Sequence, residues 1–170
     1  MPSNPFPLSM NNSKIPALVL LCLALVGCST SQKITARETP SPELLQLEHR
    51  VHHLINRYRR SKNLPPLTTE ETLTQQARIH SHEMARHKVP FGHDGFGRRV
   101  KRISKCLPYR TASENVAYNR GYPDCAQQAV QDWLKSIEHR GNIRGNYRLT
   151  GIGVAKNPEG GYYFTQIFWR

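Results

Sequence analysis

The C-terminal stretch constrains this chain most. It runs "GIGVA", then "KNPEGG", then "YYFTQIFW". Apolar residues alternate on both sides of an Asn-Pro and Gly-Gly turn, which predicts a β-hairpin. What precedes the hairpin reads as helix. Ser41-Pro42-Glu43 supplies a cap, a first-turn proline and a first-turn acid. Leu44, Leu47, Val51, Leu54, Ile55 and Tyr58 then recur at helical spacing as far as Asn63–Pro66. A capping box of Thr68 with Glu71 predicts a second helix, with Leu73, Ala77, His80 and Met84 on its core face and an end before Pro90. Gly92 to Arg102 reads as irregular, and "SENVAY" as a strand or a turn. Asp124 caps a third predicted helix through Ala126, Ala129, Val130, Trp133 and Ile137. Helices lead and strands finish, so the expected class is α+β rather than a doubly wound sheet.

The N-terminus has a different character. Lys14 is followed by an apolar run, Ile15 to Val26, and then Gly27-Cys28. That run is shorter than the roughly 20 residues needed to span a bilayer as a helix, and it suits a secretory signal. Leu25-Val26-Gly27-Cys28 resembles a bacterial lipobox, which makes Cys28 the lipidated N-terminus of the exported protein. The expected organisation is a signal peptide over 1–27, a polar tether over 28–41 and a domain over 42–170. An ordinary signal peptide or an uncleaved anchor is the alternative. Met10, followed by "NNSK", makes a more normal signal start than Met1.

Twenty-four Lys and Arg against 12 Asp and Glu give a net charge of +12, and loss of Lys14 with the signal leaves +11. Such a charge favours anionic partners. Export and the lack of any nucleic-acid-binding signature point to lipid head groups or anionic wall polymers instead of nucleic acid. In an oxidising compartment Cys106 and Cys125 are expected to pair, closing a 20-residue loop worth on the order of 3 kcal/mol. Two free thiols are the alternative, and the spacing is no zinc pattern.

Histidines invite a metal reading, but most decline it. His82-Glu83 opens an H-E-x-x-H motif, yet the next histidine, His87, lies at i+5 and faces away from His82. His80, His82 and His87 therefore read as one semi-buried and two solvated residues. His49 and His53 share a face without a third ligand, and read as surface.

Six short motifs in order do carry a signal: "HSHEMARH", "FGHDGF", "SENVA", "WLKSIEHRGNI", "GIGVA" and "TQIF". Together they resemble the CAP superfamily of cysteine-rich secretory proteins, antigen 5 and pathogenesis-related proteins, in its bacterial branch. The resemblance spans Glu43 to the C-terminus and implies an α-β-α sandwich. It also implies a cleft of two histidines and two glutamates that in some members holds a divalent ion. His93 and Glu114 match the first histidine and glutamate, and His139 matches the second histidine. The second glutamate is replaced by Ser136, which leaves a triad.

Two functions follow as expectations. One is a monomeric, lipid-anchored envelope protein that binds an anionic lipid, sterol, polysaccharide or protein through this cleft. Arg98, Arg99, Lys101 and Arg102 would then supply charge nearby, or else form a solvated loop. The other is a hydrolase of peptide or polysaccharide, with Zn²⁺ on His93 and His139 and Glu114 as ligand or general base. Ser136 and His139, at i and i+3 on one helix, make a poor nucleophile–base pair.

Overall fold

A computed structural model describes residues 40–170. The signal peptide, the lipobox with Cys28 and nearly all of the tether lie outside the described residues. Four strands form one mixed sheet in the order β1-β3-β4-β2. Strands β3 (Leu149–Lys156) and β4 (Tyr162–Trp169) are the expected hairpin, paired from Lys156↔Tyr162 to Leu149↔Trp169. The motif "SENVAY" is a strand: β2 (Ala112–Asn119) runs antiparallel to β4 at the sheet edge. At the opposite edge β1 (Thr68–Thr69) pairs parallel with β3.

Alternation along the hairpin divides its side chains between two helical layers. Ile152, Val154, Phe164 and Phe168 face α1 (Pro42–Ser61) and α4 (Cys125–Lys135), packing with Val51, Ile55, Ala126, Ala129 and Trp133. Ile167 and Trp169 face α2 (Glu71–Ala85), where they meet Leu73 and Ala77. Two glycines set how closely α2 approaches. A Cβ on Gly151 or Gly153 would come within 2.2 or 2.1 Å of α2 backbone atoms, so the helix lies directly on β3. Ser81 reaches through this contact: its hydroxyl donates to Gly153 O at 2.9 Å and its Oγ lies 2.8 Å from the Thr165 hydroxyl. The α-β-α sandwich is thus present, and the class is α+β.

Four expectations need correction. Thr68 does not cap α2, because the sheet recruits it as β1; Glu70 caps instead, accepting from Leu73 N at 2.9 Å. Gly92 to Arg102 is not irregular throughout, since Phe96–Ile103 forms α3. Gly95 starts that helix from a left-handed φ of 77°, a geometry glycine adopts without a Cβ penalty. The third helix does not run through Ile137. Ser136 is extended at ψ 131° and divides α4 from α5 (Ile137–Arg144), leaving Ile137 80% exposed.

The fourth correction concerns the disulfide. Cys106 and Cys125 are both free thiols, the first exposed and the second buried. Cys106 follows α3, whose Ile103 packs with Ile167 and Trp169, beside the start of β2. Cys125 opens α4 at the other end of that strand, where Asn119 Nδ2 donates to Cys125 O at 3.1 Å. Eight strand residues at about 3.3 Å each separate the two sites, far beyond the ~7 Å Cα limit of a disulfide. Burial raises the Cys125 thiol pKa, and its proton points to Tyr122 O at 3.3 Å. The 106–125 segment is fixed by strand pairing rather than by a bridge.

Candidate functional site

The side chains of His93, Glu114 and His139 come together along β2, between the segment entering α3 and the short helix α5. On the first side, α3 presents four basic residues. Arg98, Lys101 and Arg102 are exposed, whereas Arg99 turns inward and is buried. Its fork meets Glu114 of β2: Nε donates to Oε2 at 2.9 Å and Nη2 to Oε1 at 2.6 Å. Nη1 donates to Asp94 O at 2.8 Å, so all three guanidinium nitrogens are engaged. The Glu114 side chain is 1% exposed and also faces His93 Nδ1, 3.1 Å from Oε1.

A carboxylate held by a guanidinium is an acceptor only, so His93 Nδ1 must carry the proton in this contact. For neutral His93 that leaves the Nε2 lone pair on a side chain 48% exposed. His80 supports the same wall from below. It is fully buried, and its Nε2 donates to Gly92 O at 2.8 Å, next to His93. Nδ1 of His80 has no hydrogen-bond partner. Burial chiefly, with a smaller push from Arg99, lowers the His80 pKa and keeps the ring neutral.

On the other side the support comes mainly from backbone groups. Ser136 caps α5, its Oγ accepting from His139 N at 3.3 Å. His139 O accepts from Asn115 Nδ2 at 3.2 Å, and Asn142 Nδ2 donates to Asn115 Oδ1 at 2.9 Å. Trp133 Nε1 donates to Val116 O at 2.8 Å, pinning the end of α4 to β2. At the far end of α5, Arg59 is 1% exposed and gives its Nη1 to Ile143 O at 2.7 Å and Gly145 O at 3.0 Å. The His139 pKa is lowered, first by burial and then by the nearby His93.

The two imidazoles meet with centroids 6.4 Å apart and planes at 45°. The predicted triad of His93, Glu114 and His139 is therefore one cluster, and Ser136 lies at its margin as a helix cap. Phe91, 55% exposed, and Ile137, 80% exposed, each stand two residues before one of these histidines. His82 and His87 take no part, and His49 and His53 are exposed on α1, as expected. Arg99 emerges as a structural partner of Glu114, a role its basic run did not signal. Asn115, Asn142, His80 and Arg59 were missed. A concavity of about 310 Å³ lies between α1 and α4, lined partly by Leu54, Tyr58, Val130 and Leu134.

The donor set does not fit a divalent cation as arranged. Among the described residues no three His, Cys, Asp or Glu side chains converge to hold a metal ion. Both oxygens of Glu114 are committed to Arg99, and a cation would have to displace a guanidinium already paired there. Two imidazoles alone lack the third protein ligand of a catalytic zinc site.

Comparison with known proteins agrees with this architecture. The model of the cysteine-rich secretory protein family, CAP, matches residues 52–168. Bacillus subtilis (strain 168) YkwD is 32% identical over 143 residues, which are 82% of this chain and 53% of that protein. An extracellular SCP-domain protein of Bacillus anthracis is 26% identical with a TM-score of 0.64, covering 78% of this chain and 44% of the other. An outer surface protein of Borrelia burgdorferi, 19% identical with a TM-score of 0.64, shares the fold over 78% of this chain and 96% of its own. The chain spans about half the length of the curated relative it matches.

Proposed function

This chain belongs to the cysteine-rich secretory protein (CAP) family, and on that premise we propose that it is an exported envelope protein whose cleft binds an anionic amphiphile. The ligand class is a phospholipid-like molecule, its head group at His93 and His139 and its apolar part against Phe91 and Ile137. The observation that carries the reading is the state of Glu114. Arg99 neutralises this carboxylate, so it neither repels an anion nor offers a free base. The exposed Arg98, Lys101 and Arg102 then set the sign of the local field.

Other features support binding over metal-assisted hydrolysis. Glu114 is spent on Arg99, and the Ser136 hydroxyl accepts from the His139 amide as a helix cap. The extracellular SCP-domain protein of Bacillus anthracis supports export. Cys28 is the proposed lipid attachment that would hold the domain near a membrane. Cys28→Ala should abolish palmitate labelling and leave unprocessed precursor; unchanged labelling and size would refute the anchor.

Co-sedimentation with vesicles tests the ligand. Vesicles containing phosphatidylglycerol should retain the protein at low salt and release most of it at high salt, while phosphatidylcholine vesicles retain little. Retention that ignores both salt and head-group charge would defeat the proposal. So would preference for an acidic polysaccharide over these vesicles.

A further inference from the structure

Charge is distributed unevenly along the sheet. At the hairpin-turn end acids and bases close on each other: Lys156 meets Glu43 at 3.1 Å, and Arg50 meets Asp124 at 3.1 Å. At the other end, where β2 and β3 begin and β4 finishes, the balance is lost. Residues 95–113 and 139–158, which run through that end, contain no Asp or Glu. We propose that this strand-end face is a membrane-seating surface, on which Lys105, Arg110, Arg144, Arg148 and Arg170 meet the phosphates of an anionic bilayer and Tyr109 sits at head-group level. Its dependence on the ligand reading is limited to the phospholipid partner; no residue of the His93–Glu114–His139 cluster takes part.

Strand pairing fixes the arrangement. Arg170 N donates to Thr111 O at 3.0 Å, and Arg110 N and Thr111 N donate to Arg170 O at 2.6 and 3.1 Å. On the other side of β4, Arg148 N donates to Trp169 O at 3.1 Å. One further step of the same register sets Arg148 opposite Arg170, so three arginines crowd the ends of adjacent strands about 4.8 Å apart. Arg110 and Arg148 are exposed, as are Lys105 after α3 and Arg144 at the end of α5; Arg170 is half-buried. Among the described residues none of these five closes an ion pair. An α-carboxylate at residue 170 is already met by the two amides on Arg170 O. The acids next along the strands are spent elsewhere. Glu114 pairs with Arg99, Glu70 caps α2, and Glu71 accepts from Gln75 Nε2 at 3.0 Å.

Folding gains nothing from this crowding. Like charges on neighbouring strands repel, at distances well inside the ~8 Å screening length of physiological salt. An anionic leaflet removes that repulsion, and each basic residue near its surface strengthens attachment roughly fivefold. Tyr109 completes the face. Its ring is 51% exposed and lies 4.9 Å from the Trp169 ring, whose Nε1 donates to Pro108 O at 2.7 Å. The turn is thereby held from below, with an aromatic body and a hydroxyl between Lys105 and Arg110, a combination that settles at a membrane–water interface. Fluid head groups rearrange to match charges whose spacing the strands dictate, whereas a polymer of fixed repeat does not.

Hydrogen exchange of the full chain on vesicles, read by mass spectrometry, tests the face. Peptides covering 104–111 and 144–149 should exchange at least threefold more slowly on phosphatidylglycerol vesicles than on phosphatidylcholine vesicles at low salt. Arg110→Gln combined with Arg148→Gln should remove most of that slowing while Tm stays level or rises, because repulsion is relieved. A lowered Tm would make these arginines structural and count against the face. The same pair of changes should leave the response of the His93 and His139 rings to a monomeric short-chain phospholipid unchanged, so the face and the cleft can fail separately. Equal slowing on both vesicles, or slowing that survives the double variant, would overturn the proposal. So would equal slowing by dextran sulfate in solution, which would assign the face to an anionic polymer.

Discussion

His93 and His139 face each other across 6.4 Å, yet the walls that carry them are built on different principles. The His93 wall is fixed by side-chain charge. The buried Arg99–Glu114 pair and the half-exposed His93 ring form one chain of contacts, underpinned by neutral His80 at Gly92 O. The His139 wall is fixed largely through backbone groups: a serine cap at one end of α5, Arg59 on the carbonyls at the other, and Asn115 between. A charge-built wall concentrates its stability in few atoms and fails sharply when one is removed. A wall built on caps and carbonyls loses smaller, more separable amounts.

That contrast sets the expected order of effects. Glu114→Ala should be the most damaging, because it leaves the Arg99 charge buried without its partner; the cost should be about 3–5 kcal/mol in a urea melt. A loss below about 1 kcal/mol would mean the pair is not the core of this wall. Arg59→Leu comes next. It strips the carbonyls of Ile143 and Gly145 of their donor and should cost about 2–3 kcal/mol, with the His139 ring signals broadening while those of His93 hold. Equal broadening of both rings would erase the distinction between the walls. Ser136→Ala removes only a cap and should cost about 1 kcal/mol, about 2–4 °C in Tm for a domain this size.

Acidification should produce a smaller, graded loss shared by both walls. His80 and His139 have pKa values lowered by burial, below the ordinary histidine value of about 6.5. Below that value the unfolded chain binds protons that the folded chain refuses. Their contribution is therefore complete above it and is lost as the pH falls through the lowered values. Melting at pH 7.5 and pH 5.5 should show a lower Tm in acid. His80→Gln should flatten that slope; an unchanged slope would remove His80 as a cause.

What the sequence revealed follows the same division. Periodicity located Leu73, Ala77, His80 and Met84 on the buried face of α2, and alternation identified the hairpin, because both signals are local and repeat. Short motifs located His93, Glu114 and His139. Single-residue events were harder to read. The break at Ser136 interrupts an apolar period that carries through to Ile137, so only the serine's capping chemistry hinted at it. Thr68 looks like a cap until β3 pairs with it. Arg99 lies in a run of four basic residues, any of which could have turned inward, and its partner is fifteen residues away. Arg59 meets Ile143 across 84 residues, a contact with no local signature. The expected Cys106–Cys125 bridge relied on compartment and loop length, neither of which registers that a full strand holds the two thiols apart.

The most direct test of the proposed cleft is a ring-resolved NMR titration with a short-chain anionic phospholipid below its micelle concentration, in the presence of EDTA. If a metal-free cleft takes the head group, the largest shifts should fall on the His93 and His139 rings and on the amides of α3. The effect should shrink with added salt and in Arg98→Gln combined with Arg102→Gln. Shifts confined to the groove lined by Leu54, Tyr58, Val130 and Leu134, with both imidazoles unmoved, would contradict it.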